Sequence, residues 1–152
     1  MYLTIEVVKL VLNAKNYQIF EQKRIEHITI DSRSPQNNSN TLFFAIQGSN
    51  FNGHSFIQDL IQKGVQNFVV TKIPDHLVQK ANFYVVENTL NSLQKLASYY
   101  RSLFQIPILA ITGSNGKTIV KEWLNYLLSP EYQIIRSPKS YNSQVGVPLS
   151  IF

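Results

Sequence analysis

Short apolar runs alternate with stretches of helical periodicity along most of this chain. Residues 4–15 put Ile5, Val8 and Leu12 on one stripe with Val7 and Val11 beside it, which predicts an amphipathic helix capped by Thr4. Residues 24–31 alternate through Ile25, Ile28 and Ile30 and predict a strand, followed by a polar, proline-bearing loop at 34–40. Residues 42–46 read as a strongly apolar strand. The turn cluster 48–54 then leads into a helix over 55–63, with Phe56, Leu60 and Ile61 inward and Gly64 as its stop. Residues 65–71 and 81–86 predict two more strands, divided by a connection containing Pro74. Thr89 is expected to cap a longer helix reaching about Phe104, with Leu90, Leu93, Leu96, Ala97 and Tyr100 at helical spacing.

Strands alternating with helices argue an α/β fold. Pro107 disfavours continuing the helix before it, which puts a domain boundary at 105–107. Residues 1–105 are therefore expected to form one small α/β domain, and residues 106–152 to begin a second. In the second, 108–111 is expected to be a buried strand, 118–128 a helix with Val120, Trp123, Leu124 and Leu127 as its core stripe, and 133–136 a short strand. A polar loop, 137–144, leads to a turn at Gly146 that opens another helix. A parallel-sheet nucleotide domain needs more strands than these, so the fold is expected to continue past Phe152 or to be completed by another chain.

The stretch between the expected strand and helix, Thr112-Gly113-Ser114-Asn115-Gly116-Lys117-Thr118, carries the clearest chemistry. Strand, glycine loop and helix start, in that order, present backbone N–H groups and a helix N-terminus to a phosphate. Gly113 and Gly116 let the backbone approach phosphate oxygens closely. Lys117 would bring a charge to the β/γ-phosphates, and the Thr118 hydroxyl is a natural ligand for Mg2+. The loop is shorter than the common G-x-x-x-x-G-K-[ST] form, because Ile111 stands where its first glycine would be.

Composition narrows the alternatives. At 44% hydrophobic and 15% charged the chain is globular in character. With no cysteine it has neither a disulfide framework nor a thiolate metal site. The net charge of +5 suits an anionic ligand, but the basic residues are scattered, so a nucleic-acid partner is not expected. No window reaches the ~18 apolar residues of a spanning helix and the N-terminus lacks a secretory pattern. No membrane partner and a cytoplasmic location are the default expectations. His27 and His76 have no ligand-spaced partners and are read as ordinary, and Glu122 as a helix-dipole partner.

Four segments together resemble the Mur ligases, ATP-dependent amide-forming enzymes that build the peptide of peptidoglycan. They are Asp31-Ser32-Arg33, 42–45 with Gly48 and Asn52-Gly53-His54, the glycine loop 112–118, and Asn142 to Gly146-Val147-Pro148. Within the family, Ser114, Lys121-Glu122 and 146–148 look most like the member that adds D-alanyl-D-alanine to UDP-N-acetylmuramoyl tripeptide. The resemblance implies that 1–105 is a domain binding the UDP-tagged substrate, with Ser32, Arg33, Gly48, Asn52, Gly53 and His54 near the uridine nucleotide. It implies that Gly113, Ser114, Asn115, Gly116, Lys117 and Thr118 hold the ATP phosphates at the start of a P-loop domain, with Lys117 and Thr118 catalytic and Thr118 on Mg2+. Asn142 and Ser143 would face the substrate. UDP-N-acetylmuramoyl tripeptide and D-alanyl-D-alanine are the implied partners, joined through an acyl phosphate, with further ligase domains expected downstream. The alternatives are a non-catalytic UDP-sugar-binding module and another family member, such as the tripeptide-forming one. Some positions depart from the family pattern: Asn52 stands where Asp is common, and Ser140-Tyr141-Asn142-Ser143 replaces Asn-x-Asn-Asn.

Overall fold

Four short strands run parallel; three of them, rich in aromatic and branched residues, bury both faces, as continuous apolar patterns of this kind require, and the fourth is a half-buried edge. The computed structural model describes residues 3–17, 20, 21, 24–34, 36, 38–48, 51–138 and 140–152, the side chains of Asn16 and Tyr17 apart. Its elements in chain order are β1 (Leu3–Thr4), α1 (Ile5–Leu12), β2 (Lys15–Tyr17), β3 (Arg24–Ile25), β4 (His27–Thr29), β5 (Thr41–Phe44), α2 (Ile57–Gln62), β6 (Asn67–Val70), β7 (Asn82–Val85), α3 (Thr89–Ser102), α4 (Lys117–Leu128) and α5 (Gly146–Leu149). The main sheet has the order β2-β7-β6-β5-β4, with β4, β5, β6 and β7 parallel and β2 antiparallel at the edge.

Side-chain alternation splits the core into two layers. Leu42, Phe44, Val69 and Tyr84 point to one face, where they meet Ile5, Val8 and Leu12 of α1 and Leu93 and Leu96 of α3. Phe43, Phe68, Val70 and Phe83 point to the other and meet Ile57 and Leu60 of α2. Phe68 stacks on Phe83 at 5.7 Å and meets Phe43 edge-on at 6.1 Å, geometries that add to simple burial. Asn67 and Asn82, paired in register and fully buried, are satisfied as a unit. Asn82 Nδ2 donates to Asn67 Oδ1 at 3.0 Å, and Asn67 Nδ2 to Ser39 O at 2.8 Å. Asn82 Oδ1 accepts from Phe20 N at 2.8 Å.

Several expected boundaries shift for identifiable reasons. Thr4 caps α1 as expected, accepting from Val7 N at 3.4 Å. The strand expected over 24–31 is broken, because Asn40 O accepts from both Glu26 N and His27 N, and β3 pairs with β1 in a separate two-stranded sheet. The segment expected as one helix over 55–63 begins as a 3₁₀ turn, Gly53–Phe56, and ends at Gly64 with φ 93°. Asn88 rather than Thr89 caps α3, accepting from Asn91 N at 2.9 Å. The edge strand β2 was not anticipated.

Residues 106–152 differ more. Neither 108–111 nor 133–136 forms a strand, since no described strand lies beside either to complete a ladder. Ile108 and Leu109 are exposed instead of buried. Helix α4 forms as expected, yet none of its residues is buried, and Trp123 of the expected core stripe is 67% exposed. By contrast α5 packs its Val145–Leu149 region and Phe152 against the α1–α3 side of the core. No described helix is long and apolar enough to cross a membrane.

Candidate functional site

The glycine loop adopts the backbone its composition suggests. Gly113 has φ 143° and Gly116 φ 78°, both in the region that glycine alone enters readily. A Cβ at Gly116 would meet nothing within 4 Å, so conformation rather than space calls for glycine there. Gly116 caps α4, and no side chain bonds to the helix start. The first N–H groups of a helix have no partner within it, so this end is left for an anion. Lys117 lies back across the loop, its Nζ donating to Gly113 O and, at 3.4 Å, to Ser114 O. Residues 114–119 line an open cavity of about 360 Å³ together with Ser140 and Asn142. Thr118 Oγ1 is 3.1 Å from Ser140 Oγ.

A second, larger groove of about 540 Å³ lies between 28–31, the residues Ile46, Gly48 and Phe51, and the stretch from Tyr141 to Leu149. Its walls are mainly apolar (Ile28, Ile30, Ile46, Val145, Leu149), with Phe51 and Tyr141 as aromatic surfaces. Thr29, Asp31, Gly48 and Ser143 supply polar edges. Asp31 is covered by Arg33: Oδ1 accepts from Arg33 N at 2.9 Å and Nε at 3.0 Å, and Oδ2 from Nη2 at 3.1 Å. The carboxylate raises the guanidinium pKa, through the hydrogen bond first and charge second. Arg33 itself points to solvent. Lys63 Nζ donates to Ser32 O at 3.1 Å, tying this turn to the end of α2.

The turn that shapes one side of the groove is built internally. Gly53 N donates to Ile46 O at 2.8 Å and Gly48 N to Phe51 O at 2.7 Å. Asn52 Oδ1 accepts from His54 N at 3.1 Å and lies 3.2 Å from His54 Nδ1. His54 Nε2 accepts from Thr71 N at 3.2 Å, which needs a bare nitrogen there and so assigns the proton to Nδ1. Burial lowers the His54 pKa in the same sense.

The sequence-predicted residues therefore fall into three groups. Ser114, Asn115, Gly116, Lys117, Thr118 and Asn142 meet at the cavity beside the glycine loop, with Gly113 shaping that loop. Gly48 and Ser143 line the groove. Ser32, Arg33, Asn52, Gly53 and His54 do not line it and instead hold its adjoining turns. Sequence reasoning did not single out Phe51, Tyr141 or Ser140, although the small polar residues flanking Tyr141 were a visible signal. Among the described residues no group of three or more His, Cys, Asp or Glu could hold a metal ion.

Four parallel strands with helices on both faces, followed by a glycine loop at a helix start, define an α/β protein. A family model described as "Mur ligase family, catalytic domain" matches residues 24–101, and the chain belongs to the Mur ligase family. It is 36% identical over 131 residues to the UDP-N-acetylmuramoyl-tripeptide--D-alanyl-D-alanine ligase of Synechocystis sp., covering 86% of this chain and 28% of that one. To the ligase of the same name from Borreliella burgdorferi it is 34% identical, over 95% of this chain and 32% of the relative. Among solved structures it is similar to MurF from Acinetobacter baumannii, with TM-score 0.89, 28% identity, and coverage of 99% of this chain and 33% of that chain. It is also similar to MurF ligase from Thermotoga maritima in complex with ADP, with TM-score 0.71, 28% identity, and coverage of 83% and 28%. The chain thus spans about a third or less of the length of these relatives.

Proposed function

We propose that residues 1–152 supply two binding sites of an ATP-dependent ligase that adds D-alanyl-D-alanine to UDP-N-acetylmuramoyl tripeptide. The observation that carries this reading is the uncapped start of α4 beside a glycine loop, in a chain whose relatives bear that ligase's name. Residues 1–105 form most of the unit for the uridine-tagged substrate, its groove completed by Tyr141, Ser143, Val145 and Leu149, and 106–152 begin the ATP-binding unit. The apolar groove with Phe51 and Tyr141 suits a flat heterocycle with polar edges. Arg33, by covering both oxygens of Asp31, reduces the repulsion that a bare carboxylate would offer a diphosphate.

At the phosphate cavity the loop N–H groups and Lys117 take the β/γ-phosphates. With no acidic cluster among the described residues, Mg2+ would be carried by the phosphates, with the Thr118 hydroxyl as its protein ligand. In the reaction a substrate carboxylate oxygen attacks the γ-phosphorus and ADP leaves, giving an acyl phosphate. The dipeptide amine then attacks the acyl carbon, an amide forms and inorganic phosphate departs. Lys117 and the loop amides would stabilise charge on the transferred group. Because 108–111 has no strand beside it and the apolar face of α4 is bare, these residues are assigned binding rather than the complete reaction.

The test is calorimetric titration of the chain with Mg-ADP and, separately, with UDP-N-acetylmuramoyl tripeptide. Lys117→Ala should weaken Mg-ADP binding at least about tenfold, a loss of about 1.4 kcal/mol or more, and leave tripeptide affinity unchanged. Equal Mg-ADP affinity in the two chains would remove Lys117 from the site.

A further inference from the structure

We infer that residues 140–143 form one wall shared by the two cavities, and that Ser140 couples their occupancy. The inference rests on the functional reading above and goes beyond it. Ser140 and Asn142 line the phosphate cavity, whereas Tyr141 and Ser143 line the groove. Successive side chains pointing to opposite sides make a single backbone the boundary of both. Any shift of that backbone changes both cavities at once.

The wall is held from each side by named contacts. On the phosphate side Thr118 Oγ1 meets Ser140 Oγ at 3.1 Å, and Lys121 Nζ donates to Ser137 O at 2.9 Å. On the groove side Ser143 Oγ accepts from Gly146 N at 2.9 Å. Gly146 also packs so closely that a Cβ there would lie 3.1 Å from Tyr141 Cα and Cβ. Tyr141 and the start of α5 therefore cannot move independently. Gln94 Nε2 donates to Gln144 O at 3.2 Å and ties the same stretch to α3.

In the Thr118–Ser140 contact each hydroxyl is able to donate or to accept. When a nucleotide's cation engages the Thr118 oxygen, that hydroxyl keeps only its proton to give, and Ser140 must accept. Occupancy of the phosphate cavity thus selects one state of Ser140 and fixes the wall that Tyr141 presents to the groove. A ligand shifts such an equilibrium by its differential affinity for the two states. The coupling is reciprocal: each ligand raises the other's affinity by the same factor.

The experiment measures the Kd of UDP-N-acetylmuramoyl tripeptide on the chain by calorimetry, without and with saturating Mg-ADP, and repeats the titration with the order reversed. The expected ratio is at least about fivefold and equal in both orders. Ser140→Ala brings the ratio to about one, whatever it does to either affinity alone, and Ser140→Thr, which keeps the hydroxyl, restores it. Ser140 is exposed, so its truncation leaves the core intact. A ratio near one in the unaltered chain, or an unchanged ratio in Ser140→Ala, overturns the coupling and leaves the two sites standing. Failure of either ligand to bind overturns the functional reading, and the coupling with it.

Discussion

Gly53→Ala is the sharpest test of how the groove is built. Glycine 53 has no positive φ, so alanine is allowed by the backbone there. On that ground alone the change should stabilise by about 0.4–1 kcal/mol through the unfolded chain. The added Cβ, however, would lie 2.8 Å from Ala45 Cα, 2.8 Å from Ile46 N and 2.9 Å from Ala45 C. All three are main-chain atoms of the buried residues just past β5, so no side chain can swing aside. Relief requires the backbone at Asn52–Gly53 to move outward, which breaks the 2.8 Å bond from Gly53 N to Ile46 O. Overpacking of this kind costs about 1–3 kcal/mol, and stranding a buried backbone group costs about 1–3 kcal/mol. The two overlap, since movement relieves one and causes the other, and a net loss of about 2–3 kcal/mol follows. For a chain of this length that lowers Tm by about 5–10 °C. Thermal melting followed by circular dichroism measures it, with Gly48→Ala as the control. A Cβ at Gly48 would meet only Phe51 O, at 3.9 Å, and that variant should melt within about 2 °C of the parent. If the two variants melt alike, the close approach of turn to strand is not what holds the groove.

Asn82→Ala leaves Phe20 N and Asn67 Oδ1 without their buried partner and should cost about 2–3 kcal/mol in urea unfolding; a loss under about 0.5 kcal/mol would dismiss the paired amides as a structural unit. Tyr84 Oη is buried with no hydrogen-bond partner among the described residues, and burial together with the Glu6 charge pushes its pKa up. Tyr84→Phe should therefore be neutral or stabilise by about 1 kcal/mol, whereas a clear destabilisation would show that the hydroxyl is satisfied. Burial lowers the His54 pKa, so between its folded value and about 6.5 the unfolded chain binds the proton that the fold refuses. Stability from this group is present above about pH 6.5 and is lost as pH falls through the folded value. Urea midpoints measured from pH 7.5 to 5 should drop more for the parent than for His54→Gln, and equal slopes would refute the neutral Nδ1–H assignment.

The parts of the fold legible in the sequence are those whose partners are written as strong apolar runs. Residues 42–46, 65–71 and 81–86 pair with one another, and each run carries its own evidence of burial on both faces. The edge strand β2 is Lys-Asn-Tyr, with no run to announce it, and it exists because β7 offers an unpaired edge. The break between β3 and β4 comes from Asn40, a residue of the following loop, and nothing within 24–31 encodes it. The run 108–111 is as apolar as the others but has no neighbour, which shows that an apolar run states a capacity for pairing and not its fulfilment.

The two sites divide in the same way. The geometry of the glycine loop was legible because it is local: two glycines, a lysine and a threonine lie within one turn of backbone. The groove is assembled from three segments more than a hundred residues apart at the extremes, and Ile28, Phe51 and Tyr141 carry no mark of belonging together. The turn residues beside it were visible, and in the structure they hold the adjoining turns. Arg33 and His54 look like ligand contacts in the sequence; in the structure Arg33 Nε and Nη2 donate to Asp31 while the side chain faces solvent, and the His54 ring nitrogens meet Asn52 and Thr71. Such residues act on a ligand through the shape they give its container. Substitution at Arg33 or His54 should then be read first in stability and only afterwards in affinity, while Tyr141 and Phe51, which face the groove directly, should show the reverse order.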